Sequence, residues 1–392
     1  MRRLVSVALI LTSRWTAVGC YAALCSPDLP PVRPFGPCTS GGLARFTGAL
    51  SPALREALVA QHHLAAAAVE FEQLRRLDQV DQLAVAVVAR VERGLVADLL
   101  ADRAERRPAV LAGRRFGNAQ SEAGTKHVQD IRTRLQPQPD GSYVLTGVKH
   151  YSTGALFADW IPVLARAEGD KLHVAYVPAD APGLSVIDDW DGLGQRTTAS
   201  GTVRLVGVPV PGDRVLPHHL TFEGPQLHGA VAQLLHAAID AGIAAGALAE
   251  AAEFVRTKSR PWFESGVETA AEDPLLIQRF GELALQTRAS EALLREAARA
   301  VDAARNDLTD DTAAEASVAV AAAKVQAAQA AVEVASALFE VSGTRAALNS
   351  LNLHRHWRDA RTHTLHDPAR WKIQHIGRYV LNGTRPPRHG LL

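Results

Sequence analysis

Residues 143–177 read YVLTGVKHYSTGALFADWIPVLARAEGDKLHVAYV, and this stretch sets the fold class of the middle of the chain. Three short runs rich in β-branched and aromatic residues stand in it, at 143–147, 160–165 and 172–177. Pro139-Asp140-Gly141 supplies a turn before the first, and Thr202-Val203-Arg204-Leu205-Val206 adds a further run downstream. Runs of this length punctuated by Gly, Pro and Asp predict strands. From about Arg115 to Pro217 no segment is long enough for a helical crossover between strands, and no G-x-G-x-x-G follows a strand. A dinucleotide-binding βαβ unit is therefore not expected, and the region reads as an all-β, barrel-like domain.

Outward from it, the periodicity changes. After Gly224, Leu227, Val231, Leu234, Leu235, Ala238 and Ile239 form an apolar stripe at helical spacing. Gly242, Ala245, Gly246 and Ala249 continue it with side chains small enough for close helix approach. A second helix is predicted over 274–306, with Asp273 as cap and Pro274 in the first turn. An alanine-dominated third covers 312–341 and stops at Gly343. A fourth is predicted over 346–360, and a further helical stretch over 367–381. Long helices with short connections make a bundle.

Toward the N-terminus, residues 51–108 show helix-like apolar steps without a catalytic signature, and Pro- and Gly-rich residues 26–42 read as a linker. The predicted organisation is α+β and multi-domain. A tail or linker covers 1–45, an N-terminal helical region 46–113, a central β-barrel-like domain 114–222 and a C-terminal four-helix bundle 223–392.

The chain has 392 residues, 47% of them hydrophobic, enough for more than one core. Net charge is +1 with Lys and Arg dispersed, so nucleic acid has no electrostatic footprint here. The three cysteines all lie within residues 1–40 and match neither a disulfide framework nor a zinc motif. A basic start followed by residues 4–11 (LVSVALIL) is a weak signal-like pattern. That run is too short to span a bilayer, and the body of the chain suits the cytoplasm, away from membranes.

Three polar clusters carry the candidate chemistry. Residues 116–125 (FGNAQSEAGT) offer Asn118, Ser121 and Thr125 between two glycines; taken alone, they read more readily as a polar turn than as a ligand site. Residues 149–155 (KHYSTGA) place two hydroxyls beside a tyrosine, and residues 195–202 (QRTTASGT) form the third cluster. The five histidines between 354 and 375 could suggest a metal, but no acidic or cysteine partner recurs at ligand spacing, so none is expected. His354 and His356 read as helix-surface or packing residues, Trp357 and Trp371 as core, and Arg358, Asp359 and Arg361 as a structural ion-pair set.

The segments RFGNAQSEAGT (115–125), KHYSTGALFADWIPV (149–163), IDDWDGLGQRTTASGTV (187–203) and SGTRAALNSLNLHRHWRDARTHTLHDPARWK (342–372) resemble the acyl-CoA dehydrogenase superfamily. They are most similar to its monooxygenase branch, which contains sulfur-acquisition oxidoreductases and dibenzothiophene desulfurisation monooxygenases. The likeness runs from about Pro108 to Leu392. Residues 1–107 carry none of it, an onset abrupt enough to suggest a displaced start or reading frame.

The resemblance implies a flavin held by Asn118, Ser121, Thr153, Thr198 and Ser200, with Thr153 near its N5. Arg260 and Arg345 would bind its phosphate, across subunits of a homotetramer. A dehydrogenase of this family needs a carboxylate base, commonly just after an R-D-A-R-like segment. Here Arg358-Asp359-Ala360-Arg361 is followed by THTLHD. The other family position, in the first bundle helix, reads QLLH (233–236), again without a glutamate.

Histidines suit oxygen chemistry, because an imidazole can donate a hydrogen bond or proton near neutral pH. The resemblance makes His366 the catalytic residue, supported by His363 and Ser152. It implies reduced FMN supplied by a separate reductase, with FAD as the other candidate, and O2 and a small organosulfur compound as substrates. An FAD-dependent acyl-CoA dehydrogenase and a non-catalytic flavin-binding or assembly subunit remain the alternatives.

Overall fold

The computed structural model describes residues 114–392. The expectations for the tail or linker, for the N-terminal helical region and for the signal-like start lie outside the described residues.

The β region contains β1 (Arg134–Pro137), β2 (Tyr143–Lys149), β3 (Trp160–Arg166), β4 (Leu172–Pro178), β5 (Leu184–Ile187), β6 (Thr202–Val210) and β7 (Val215–Leu216). They form one seven-stranded sheet in the order β5-β6-β2-β1-β3-β4-β7. Every pairing is antiparallel except β1 with β3. Alternation decides the buried face: Ile161, Val163 and Ala165 of β3 point inward with Ala175 and Val177 of β4. The barrel-like domain takes the form of a half-barrel, since the sheet ends on β5 and β7. Alternation specifies which face is buried, and it carries no information on whether the edge strands meet.

The helical region contains α1 (His228–Lys258), α2 (Pro274–Asn306), α3 (Asp310–Ser342), α4 (Arg355–His363) and α5 (Ala369–Asn382). It is therefore a five-helix domain, with two short helices following three long ones, where four were expected. α2 begins where its cap predicts: Asp273 accepts hydrogen bonds from the amides of Leu275 and Leu276, and Pro274 needs no donor there. Gly343, at φ 74°, ends α3.

The predicted fourth helix starts later than expected. Residues 344–351 form two 3-10 turns, and Asn352 is left-handed (φ 50°) before α4 begins. α1 and α3 pack through alanines, among them Ala237, Ala241, Ala316, Ala323 and Ala327. Small side chains bring the two backbones close, which leaves a tight interface for any larger group inserted in it.

Candidate active site

Four backbone hydrogen bonds stitch the three polar clusters together. His150 N donates to Ser121 O (2.9 Å), Asn118 N to Thr153 O (3.1 Å), Gly154 N to Thr198 O (3.0 Å) and Ser152 N to Gly201 O (2.9 Å). Asn118, Ser121, Ser152, Thr153, Thr198 and Ser200 are thus neighbours although they span more than eighty residues of sequence. Gly117 belongs to this seam by necessity, since a Cβ there would sit 2.7 Å from the Ala155 backbone.

The hydroxyls form a chain with a fixed direction. Thr198 donates to Gln195 O at 2.8 Å. Its oxygen pairs with Ser200 at 2.7 Å, and Ser200 with Thr153 at 2.8 Å. Each hydroxyl has one proton, so Ser200 donates to Thr198 and Thr153 donates to Ser200. Thr153 is left with lone pairs only for anything beyond it. Among the described residues, four buried side-chain polar atoms have no partner; one is Ser342 Oγ at the end of α3, and the other three are Asn118 Oδ1, Ser152 Oγ and Gln233 Oε1. Buried polar atoms are ordinarily paired, and these three suit a polar ligand.

The loop at 193–195 carries this cluster onto α4. Gly194 N donates to Thr362 Oγ1 (2.9 Å) and Gln195 N to Asp359 Oδ1 (2.7 Å). Arg358 reaches Leu193 O, His354 and Asn352. Arg358 and Asp359 therefore clamp a loop, where a structural ion-pair set was expected. His354 is a partly buried acceptor within this clamp, and His356 is buried and pairs with Glu250 at 2.7 Å, so of the two expected settings, helix surface or packing, His356 has the second. Trp357 packs on the bundle core, while Trp371, expected in the core, is half exposed.

One turn on from Asp359, the histidines converge. His363 is buried; its Nδ1 lies 2.6 Å from Asp240 Oδ1 and its Nε2 3.0 Å from His236 Nδ1. Asp240, fully buried, takes Lys324 Nζ on its other oxygen at 2.7 Å. The His366 ring stacks on His236 with centroids 4.0 Å apart, and its Nδ1 lies 3.2 Å from Asp367 Oδ1. Asp367 also pairs with Lys372. Burial alone would raise the Asp367 carboxyl, but His366 and Lys372 hold it well below the usual range. His366 is the exposed member, with 46% of its side chain accessible.

Of the predicted site residues, His363 and His366 meet here, and Ser152, Asn118, Ser121, Thr153, Thr198 and Ser200 line the adjoining seam. Arg260 and Arg345 do not join them. Both are exposed near the far end of α1, where Arg345 donates to Lys258 O at 3.1 Å. From Asp240 to Lys258 the helix runs about 27 Å at its 1.5 Å rise per residue. Sequence reasoning missed Asp240 and Lys324, and met His236 only as the residue in place of a glutamate. A signal was present: Lys324 is the only charge between Glu315 and Glu333, in an otherwise alanine- and valine-rich helix.

Two family models match the chain, the acyl-CoA dehydrogenase middle domain over residues 116–208 and its C-terminal domain over residues 234–371. Among curated proteins, dibenzothiophene monooxygenase of Mycolicibacterium goodii is 39% identical over 285 residues, 69% of this chain and 68% of that protein. A probable FMNH2-dependent monooxygenase, SfnC of Pseudomonas putida, is 36% identical over 63% of this chain and 64% of its own length. Among solved structures, FMN-bound TdsC of a Paenibacillus species superposes with a TM-score of 0.69 at 37% identity, covering 73% of this chain and 75% of that one.

Proposed function

This chain belongs to the acyl-CoA dehydrogenase superfamily, in its monooxygenase branch, and from that premise we propose that it uses reduced FMN and O2 to oxygenate a small organosulfur compound. The observation that carries the reading is the commitment of the carboxylates around the histidines. Asp240 is engaged by Lys324 and His363, and Asp367 by Lys372 and His366. Neither is available as the base that removes a substrate α-proton in a dehydrogenase, while imidazoles stand ready to move protons.

The residues present fit a flavin. The partnerless oxygen of Asn118 suits the polar edge of its ring. Thr153, an acceptor only, matches the N–H of a reduced ring rather than the bare nitrogen of an oxidised one. Bound reduced FMN supplies the activation of oxygen. Asn118, Ser121, Thr153, Thr198 and Ser200 would hold it, and Ser152 would face the substrate side. His366 acts as proton donor: Asp367 accepts from its Nδ1 and orients the ring, which leaves its Nε2 for the site. His363 holds the rings from behind.

Arg260 and Arg345, too distant for this site, would serve the flavin phosphate of another copy in a homotetramer. The forked guanidinium suits that contact. Exposed Leu285 on α2 and Val380 and Leu381 on α5 offer apolar faces for such an assembly. A separate flavin reductase and a cytoplasmic setting belong to the same reading.

The test is to bind FMN reduced anaerobically, with FAD in parallel, then mix with 18O2 and a panel of aryl and alkyl sulfides. Label transfer into a sulfide is expected, with His366→Ala reducing it on the order of 10²- to 10⁴-fold. Bleaching of bound oxidised flavin by an acyl-CoA, without label transfer, would replace the reading with a dehydrogenase. Flavin binding with neither reaction would leave a non-catalytic flavoprotein.

A further inference from the structure

We propose that Lys324 and Asp240 are positioning residues that fix the ring tautomers of His363 and His236, leaving His236 Nε2 as a bare proton acceptor at the inner edge of the site. Asp240 is fully buried, and Lys324 is 2% exposed and 2.7 Å from its Oδ2. A carboxylate held by an ammonium is ionised and can only accept. At 2.6 Å from Asp240 Oδ1, His363 Nδ1 must therefore carry a proton and donate. A neutral His363 then has a bare Nε2, which can only accept. The ring nitrogen 3.0 Å from it, His236 Nδ1, must in turn donate. With its single proton on Nδ1, a neutral His236 has none on Nε2.

Both rings are held neutral by their surroundings. Burial disfavours charge on His363 first; Asp240 favours it, and Lys324 and His366 oppose it, with the balance downward from the ordinary value. For His236, burial acts together with His366, His363, Lys324 and Lys372, all lowering it. The charged and titratable groups around His236 come from each packed element: Asp240 on α1 itself, Lys324 on α3, His363 on α4, His366 and Asp367 on the turn after it, and Lys372 on α5. Gln233 lies one turn before His236 on the same stripe of α1, 2% exposed and with Oε1 unpartnered, so this face of the helix borders space suited to a polar ligand.

The relay balances as proton movement alone. A proton taken from a bound molecule at His236 Nε2 allows the Nδ1 proton to move to His363 Nε2. His236 is then neutral with an Nε2–H, and His363 is an imidazolium against the Asp240 carboxylate. Return of the proton runs the same steps backward. His366, stacked at 4.0 Å, stays free for the opposite duty of proton donor. The catalytic use of this acceptor rests on the monooxygenase reading; the tautomers do not.

The experiment is a long-range 1H–15N correlation on the full chain labelled with [15N]histidine, without flavin, at pH 7.5. The rings of His236 and His363 are expected as the Nδ1–H tautomer, each assigned by the loss of its signals in His236→Gln or His363→Gln. In the double variant Asp240→Leu/Lys324→Met, which removes acceptor and charge together, His363 is expected to revert to Nε2–H. Its oxygenation turnover should fall on the order of 10²- to 10⁴-fold, with affinity for reduced FMN within about twofold of the parent's. An Nε2–H or imidazolium signal for His236 or His363 in the unsubstituted protein overturns the proposal without recourse to any variant. So does a double variant that keeps full turnover. Correct tautomers in a protein that shows no oxygenation would leave the tautomer assignment standing and remove the monooxygenase reading.

Discussion

Among the described residues, two of the three buried lysine–carboxylate pairs, Lys149–Glu122 and Lys324–Asp240, have nearly the same geometry, and they differ in where the second half of each carboxylate points. In the β domain, Lys149 Nζ meets Glu122 Oε1 at 2.7 Å, with both side chains almost fully buried. Glu122 also accepts from Thr133 Oγ1 (2.7 Å), Thr133 N (3.0 Å) and Arg132 N (2.8 Å), and Lys149 donates to Gln120 O at 3.1 Å. All of these partners are structural, and the network closes on itself. In the bundle, Lys324 and Asp240 are also 2.7 Å apart, but the second Asp240 oxygen holds an imidazole. That network opens into the site. The same buried ion pair ties a strand to a neighbouring loop in one case and sets a proton position in the other, so its role is decided by the third partner.

The largest effect should come from removing one partner only. Glu122→Leu leaves a buried ammonium, Lys324→Met a buried carboxylate, and each should lower the unfolding free energy by about 3–5 kcal/mol, read from urea denaturation. Replacing both partners by apolar residues should recover most of that loss in either domain. Turnover per folded molecule should then separate the two, with Glu122→Leu/Lys149→Met close to the parent and Asp240→Leu/Lys324→Met deeply impaired. Equal impairment in both would erase the distinction.

A smaller effect is expected at Gly194, where a Cβ would lie 2.1 Å from Arg358 O. Gly194→Ala should push the 193–195 loop off α4 at a cost of about 1–3 kcal/mol and weaken affinity for reduced FMN, measured by anaerobic titration.

The smallest effect concerns acid. Burial would raise the Glu122 carboxyl, but Lys149, Thr133 and the two amides lower it from 4.5 to about 2. Its folded-state value lies below its unfolded one, so its contribution to stability is complete above about pH 4.5 and is lost as pH falls toward about 2. The melting temperature should decline less over that window in Glu122→Leu/Lys149→Met than in the parent, by calorimetry.

Local signals made much of the helical region legible. Asp273-Pro274 marked the start of α2 to the residue, and Gly343 marked the end of α3. The late start of α4 was hidden, because an apolar stretch at 346–353 fits helix spacing and nothing local announces the left-handed Asn352 that interrupts it. The site was legible in parts. The clusters around Asn118, Ser152 and Ser200 stand out as polar segments, and the THTLHD histidines as an absent glutamate. Their assembly depends on backbone bonds between segments far apart in sequence, such as Gly154 N to Thr198 O.

By itself, the sequence determined a β region followed by long helices, the caps that bound two of them, and the residue types available to a flavin and to oxygen chemistry. Local propensity and side-chain chemistry act over a few residues, and those features need no more. Only the tertiary structure decided that the sheet stays open, that Arg260 and Arg345 sit some 27 Å along α1 from the histidines, and that Asp240 and Lys324 converge on His363. Those outcomes depend on how α1, α3 and α4 pack, and a lone lysine in an alanine helix declares its partner only when another helix brings a carboxylate to within 2.7 Å.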